Sequence, residues 1–410
     1  MRSKTRTILY FAATALISAS IAVMLTVTLT NNAKKNTVVL SADEYNKLGE
    51  LRVLNEIIDK ITTESLTGEV DRGVLVEGAA NGMLKALGDN YAQYYTAEEY
   101  EEYLSKINGE YSGIGILVGQ PGADGAPVLD VYEGTPAEIS GMKPGDIIVA
   151  VDGASVSGMQ LEELTAVIDR EIGDSVEIKV TRDGIEKMMS VANATINIKR
   201  VHSFLFNEYT GYIRIDMFTG NCVEEFDEAF RDLTERGMKS LVIDLRNNPG
   251  GALDDVVDIA DTLLGECVIV NVKGTNGRNE HEYKSSGKAL DIPLAVIVNE
   301  NSASASEILA SAVKDNGAGA IVGITTYGKG VVQTTMRLDT NGAWLKLTTD
   351  AYYTPNGNNI NGVGVEPDIR VELPEEIRDM AITQIKQTED KQLWAALDEV
   401  RERAAERQRS

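Results

Sequence analysis

From Thr7 to Thr30 the chain reads TILYFAATALISASIAVMLTVTLT, 24 residues without a charge. As a helix this run is about 36 Å long, enough to cross the hydrocarbon core of a bilayer. Beyond it the pattern turns amphipathic. In Ser41 to Lys60 the apolar residues Tyr45, Leu48, Leu51, Leu54, Ile57 and Ile58 recur mostly at every third or fourth position, and Ser41 with Glu44 has the spacing of a capping box. A second helical stretch, Asp71 to Ala86, leads into LGDNYAQYYTAEEYEEY. Residues 1–36 are therefore expected to be a cytoplasmic stub and membrane segment, and residues 41–108 an N-terminal helical arm.

Between Tyr111 and about Thr195 the period shortens to β-type runs punctuated by Gly and Pro: SGIGILVGQ, APVLDVYEGT, GDIIVAVDG and DSVEIKVTRDG. One helix interrupts them, Met159 to Arg170, with Leu161, Leu164, Val167 and Ile168 on one face. Residues 109–195 thus read as a compact β-rich module. From Gly211 onward strands alternate with helices, and continuous apolar runs such as LVIDL and LAVIV suit strands covered on both faces. Residues 196–373 are expected to be an α/β core. Residues 374–410 form a charged helical tail with Ile385, Leu393, Leu397 and Val400 among its apolar positions.

Composition narrows the partners. Of the 410 residues, 39 are Lys or Arg against 63 Asp or Glu, a formal charge of -24, and no basic stripe offsets it, which excludes nucleic acid as a partner. Residues 1–40 hold Arg2, Lys4, Arg6, Lys34 and Lys35 and no acid. Three bases before the apolar run against two after it, with the amino terminus, place the bulk of the chain outside the cytoplasm. A cleaved signal peptide followed by secretion is the competing reading. Its apolar part is normally shorter, however, and here Val23, Met24 and Leu25 continue past the Ala/Ser cluster. Cys222 and Cys267, the only cysteines, make no disulfide framework and no CxxC pair, and read as small buried residues. Nothing in the chain calls for a cofactor or a metal.

The candidate chemistry lies in NSASASEILASAVKDNGAGAIVGITTYGKGVVQ, residues 301–333. Ser302, Ser304 and Ser306 stand at the start of a helix closed by Gly317, and Ser304 with Glu307 again has capping-box spacing. Serines at a helix start are ordinarily caps. The same first turn also presents free N-H groups and partial positive charge, which stabilise an oxyanion, so a serine there can be cap and nucleophile at once. It needs a base. The two histidines, His202 in RVHSF and His281 in NGRNEHEYKSS, have polar surroundings, which disfavours a Ser-His-Asp triad. Lys329 has small or apolar neighbours and no carboxylate between Asn316 and Asp339, the setting in which burial lowers a lysine's proton affinity. Gln333, four residues on, can orient the lysine or the hydroxyl.

SASASEI followed by TYGKGVVQ resembles the signature of the carboxy-terminal processing peptidases, or tail-specific proteases, a Ser-Lys dyad family. The resemblance implies Ser304 as nucleophile, Lys329 as general base and Gln333 as their catalytic neighbour, with Ser302 and Ser306 structural. SLVIDLRNNPGG resembles the family's strand-to-turn motif, which implies an oxyanion hole formed by Gly250 or Gly251 with Ala305. AYYTPNGNNINGVGVEPDI resembles the stretch closing the protease core, which the resemblance makes crotonase/Clp-like. The match runs from about Ser41 to Leu373.

The β-rich module resembles a PDZ domain inserted before that core, with KPGDIIVAVDG as its hallmark and Gly113, Ile114, Gly115 and Ile116 as the carboxylate-binding loop. Such a loop exposes successive N-H groups to a terminal carboxylate while a strand edge pairs with the peptide. Relatives often carry an arginine-glycine pair at the end of the module's helix, and the resemblance implies that in some of them the arginine takes part in peptide-triggered activation. This chain has VIDREIGDS there, with Arg170 nearby. The expectation is a multidomain α/β (α+β) serine endopeptidase, single-pass in the cell membrane with its catalytic domain extracytoplasmic, acting on proteins or peptides with accessible C-termini. Homodimerisation through the helical arms is compatible with the resemblance. A PDZ scaffold that kept the fold without catalysis is the alternative, and Ser304, Lys329 and Gln333 together speak against it.

Overall fold

The computed structural model describes residues 18–21, 23–24, 41–66, 68, 70–108, 110–274, 280–378, 380–407 and 409. Most of the apolar run Thr7 to Thr30 lies outside the described residues. Among those described, no helix is long and apolar enough to cross a membrane. The chain divides into two compact units, 1–86 and 87–410. In the first, helix Ala42–Glu64 is tied to the start of helix Arg72–Leu87, Arg72 donating to Asp59 at 3.0 Å and to Asn55 at 2.8 Å. Residues 87–108, which the sequence pattern groups with the helical arm, belong to the second unit.

The second unit contains the β-rich module and the α/β core. In the module, Ile116–Val118, Ala126–Val131, Ile147–Val151, Ser175–Arg182 and Ile185–Ala192 form an antiparallel sheet in that order, and Ile116–Val118 is its edge. Ile114, Val128, Ile148, Leu164, Val176 and Ile178 fill its core. The predicted single helix is Leu161–Ile168, and a short turn of helix, Pro136–Ile139, precedes it. Outside this sheet, Glu110–Gly113 pairs with Ala194–Asn197, so the two ends of the module leave side by side.

The core sheet runs in the order Val201–Phe206, Thr210–Ile215, Ser240–Asp244, Leu294–Val298, Ala320–Gly323, Ile369–Arg370, antiparallel at the first pair and parallel thereafter. SLVID and LAVIV are buried throughout, as continuous apolar runs require of strands covered on both faces. Helices Cys222–Glu235, Leu253–Leu263 and Ala305–Asp315 share one large apolar cluster with the sheet. A separate cluster joins Val242, Ala295, Ile297 and Val322 to Leu393, Ala396, Leu397 and Val400, so the charged tail provides a cover through helix Lys391–Arg407. A second sheet pairs the long strand Trp344–Tyr353 with Val331–Arg337, Cys267–Gly274 and Gln93–Tyr95, and His281–Ser285 extends it.

Candidate active site

Strand Leu294–Val298 turns directly into helix Ala305–Asp315, which sets residues 299–304 beyond the carboxyl end of the parallel sheet, where open α/β sheets build their sites. The three serines have different surroundings. Ser302 is fully buried, its Oγ donating to the Leu245 carbonyl at 2.8 Å and accepting the Asn299 N-H at 2.9 Å. Ser306 is fully buried and donates to the Asn248 carbonyl at 2.9 Å. Ser304 is half-buried and lines a cleft of about 490 Å³. Its φ of 56° with ψ of -115° is a backbone conformation that a residue with a side chain adopts only where its surroundings hold it there.

Glu307 supplies that restraint. It is completely buried, and its two carboxylate oxygens accept four hydrogen bonds. Oε2 receives the N-H of Ser304 at 2.8 Å and that of Lys329 at 2.8 Å; Oε1 receives Thr326 Oγ1 at 2.6 Å and the Gly328 N-H at 2.7 Å. The sequence suggested only a helix cap at Glu307. The structure shows one carboxylate tying the Ser304 turn to the Lys329 loop.

Lys329 lines the same cleft, half-buried, with Nζ 4.9 Å from the centre of the Tyr91 ring. Among the described residues its amine makes no ion pair and no hydrogen bond, to Ser304 or to any other group. Burial pushes its proton affinity below that of an ordinary lysine, the charge of Lys346 pushes it further, and Glu307 opposes both. The Tyr352 hydroxyl donates to the Lys329 carbonyl and is also within hydrogen-bonding reach of Ser304. Gln333 is in the cleft wall, but its Nε2 donates to Thr348 Oγ1 at 3.3 Å, and Thr348 donates on to Asp89 at 3.1 Å. No hydrogen bond joins Gln333 to Ser304 or Lys329.

The NPGG turn abuts the serine. A Cβ on Gly250, whose φ is +106°, would stand 2.7 Å from Ser304 Cβ and 2.7 Å from the Ala303 carbonyl oxygen. The Gly250 N-H donates to Asn248 Oδ1 at 2.8 Å and so is already engaged. The N-H groups of Gly251 and of Ala305, the first residue of its helix, have no protein acceptor among the described residues. The sequence left Gly250 and Gly251 as alternatives, and the hydrogen bonds leave Gly251 as the available donor. Below this turn, buried Arg246 pairs with Asp244 and, at 2.8 Å, with Asp390 just ahead of the tail helix.

Helix Ala97–Asn108 forms the facing wall with Tyr100, Tyr103, Leu104 and Ile107, and Tyr100 stacks on Trp344 with ring centres 4.0 Å apart. This wall was not anticipated, although the tyrosine-rich run YAQYYTAEEYEEY marks it. Neither histidine lines the cleft: His202 pairs with Asp216 at 3.0 Å on an edge strand, and His281 is exposed against Tyr283. Cys222 is buried and Cys267 partly so, and both are free.

In the β-rich module, the Ile114 carbonyl accepts from the Ala137 N-H at 2.9 Å and the Gly115 carbonyl from Tyr132 at 3.0 Å, which fixes the loop beside the edge strand Ile116–Val118. Gly115 has φ +88°, and a Cβ there would collide with Thr135. Arg170 pairs with Asp152 at 2.8 Å within the module.

Known proteins resemble this chain along most of its length. The sequence profile of peptidase family S41 matches residues 209–371, and that of the PDZ domain matches residues 128–182. A carboxy-terminal-processing protease of Bartonella bacilliformis is 33% identical over 388 residues, covering 92% of this chain and 86% of its own. The carboxy-terminal processing protease CtpA of Bacillus subtilis is 30% identical, covering 88% of this chain and 76% of its own. A solved structure described as an S41 protease from Bacteroides fragilis superposes with a TM-score of 0.53 at 15% identity, covering 83% of this chain and 96% of its own, a likeness of fold alone.

Proposed function

Because this chain belongs to the carboxy-terminal processing proteases, the S41 serine peptidases with a PDZ domain, we propose that Ser304 is its nucleophile and Lys329 its general base. In this reading, neutral Lys329 Nζ takes the Ser304 proton as Oγ attacks the scissile carbonyl, and the N-H groups of Gly251 and Ala305 receive the oxyanion. The Lys329 ammonium then protonates the leaving amine. Water, deprotonated in turn by Lys329, releases the acyl group from Ser304. The Lys329 amine lies over the Tyr91 ring and is not hydrogen-bonded to Ser304, so in this reading it swings toward Oγ for proton transfer. Gln333 acts from the same wall through its amide, once Thr348 releases it.

The observation that carries this reading is the contrast among the serines: Ser302 and Ser306 have their hydroxyls locked to backbone carbonyls, while Ser304 opens to the cleft that holds Lys329. Cleavage of an unstructured peptide by the Ser304→Ala variant tests it, and a rate equal to wild type would remove Ser304 from the mechanism.

The PDZ module supplies the address in this account. Gly113, Ile114, Gly115 and Ile116 capture the C-terminal carboxylate of an exposed protein tail, which extends the sheet along Ile116–Val118. Thr7 to Thr30 anchors the enzyme as a single membrane span with the catalytic unit outside the cytoplasm. Leu48, Leu51, Ile57 and Met83 leave exposed apolar surface on the helical arm that suits pairing with a second copy.

A further inference from the structure

The cleft holds a second lysine. Lys346 lies on strand Trp344–Tyr353, opposite Thr335, and Gln333 is opposite Thr348, so these four residues share the face of the sheet that walls the cleft. The Lys346 Nζ donates to the Tyr103 hydroxyl at 3.1 Å and lies 4.8 Å from the centre of that ring, a cation-π placement. Among the described residues no carboxylate pairs with it, in a chain with 63 acidic residues. Its placement is therefore not that of a surface ion pair, and no hydrogen bond ties it to Gln333 or Ser304.

We propose that Lys346 is a positioning residue for the base: held on Tyr103 in the cleft it shares with Lys329, its charge repels a second cation at the amine that accepts the Ser304 proton. The proposal rests on Lys329 being that base. The groups that face Lys329 are few. From the Ser304 helix comes Glu307, whose oxygens are already shared among four donors. From the segment before strand Gln93–Tyr95 comes the Tyr91 ring, coupled to Tyr327 on the lysine's own loop. From the long strand come Tyr352, on the Lys329 carbonyl, and Lys346. Asp89 is directed to Thr348, so among these groups Lys346 is the cation that shares the cleft with Lys329. Burial and Lys346 both act in that direction on Lys329.

The test is the pH dependence of kcat/KM on an uncharged quenched peptide, together with the rate at which a fluorophosphonate phosphonylates Ser304 with loss of fluoride, for wild type, Lys346→Arg, Lys346→Met and Lys346→Glu. Lys346→Gln, which keeps a donor for Tyr103, replaces the methionine variant if that one loses its thermal transition. The arginine variant should keep the acid limb in place. The neutral variant should move it to higher pH by on the order of 0.5 to 1 unit, and the glutamate variant further. An acid limb that stays put in the neutral variant overturns the proposal. So does a rise in KM confined to acidic peptides with no shift in the limb, which would make Lys346 a substrate contact. Lys329→Ala is the control: if it retains activity, the base assignment fails as well, whereas an inactive Lys329→Ala with an unshifted neutral variant overturns the role of Lys346 alone.

Discussion

The carboxylate of Glu307 accepts the backbone N-H of Lys329 at 2.8 Å, and the same oxygen accepts the N-H of Ser304 at 2.8 Å. Two segments, each contributing a side chain to the cleft, are held together by one atom. Glutamine is isosteric, but its amide nitrogen cannot accept, so Glu307→Gln turns two of four donors against a donor. Leaving buried donors unsatisfied costs roughly 1–3 kcal/mol each. The variant should melt several degrees lower and lose at least about tenfold in kcat with little change in KM. Wild-type kcat in the glutamine variant would show that the tie is dispensable.

Gly250 is a second point of contact with Ser304, and it has no room for a side chain. At φ +106°, a Cβ would stand 2.7 Å from Ser304 Cβ. Gly250→Ala should therefore displace the serine or the NPGG turn and reduce kcat/KM by on the order of a hundredfold, comparable to losing an oxyanion donor. Peptide hydrolysis with circular dichroism to confirm folding checks this.

Much of this arrangement was legible in the sequence because it depends on local patterning. LVIDL and LAVIV announced covered strands, and the SASASE and YGKGVVQ stretches brought Ser304 and Lys329 forward together. What was not legible depended on contacts between distant segments. Glu307 read as a cap because its links to Thr326, Gly328 and Lys329 exist only after the chain has folded. Lys346 and the tyrosines of helix Ala97–Asn108 looked like an ordinary strand and an acidic helix until strand pairing set Gln93 beside Lys346. The choice between Gly250 and Gly251 needed the Asn248 side chain, which takes the Gly250 N-H.

Half-burial of Lys329 imposes a stability cost with a defined sign. The proton affinity of Lys329 is lower in the folded chain than in the unfolded one, so the unfolded chain holds the extra proton between the two values and stability rises with pH across that window. Below the window the full cost of burying the ammonium is present. Lys329→Met should consequently be inactive yet melt higher than wild type at neutral pH, the difference shrinking as pH approaches the value of a free lysine. A lower melting temperature for the variant at neutral pH would show that Lys329 is not strained by burial.

The tail helix is held to the site region through a buried ion pair. Asp390 contacts Arg246 at 2.8 Å and 2.9 Å, four residues ahead of the glycine turn. Asp390→Ala leaves part of the Arg246 charge unmatched and should cost about 3 kcal/mol, near the low end for a broken buried pair because Asp244 remains. Chemical denaturation measures the loss, and an unchanged midpoint would show that the tail docks through its apolar face alone.

The central claim is that Ser304, and neither neighbouring serine, is the nucleophile that Lys329 activates. Peptide mapping by mass spectrometry after treatment with a fluorophosphonate tests it most directly, with wild type and Lys329→Ala compared side by side. The account predicts a single adduct on Ser304 in the wild type and little or none in the lysine variant. An adduct on Ser302 or Ser306, or undiminished labelling of Ser304 without Lys329, would contradict it.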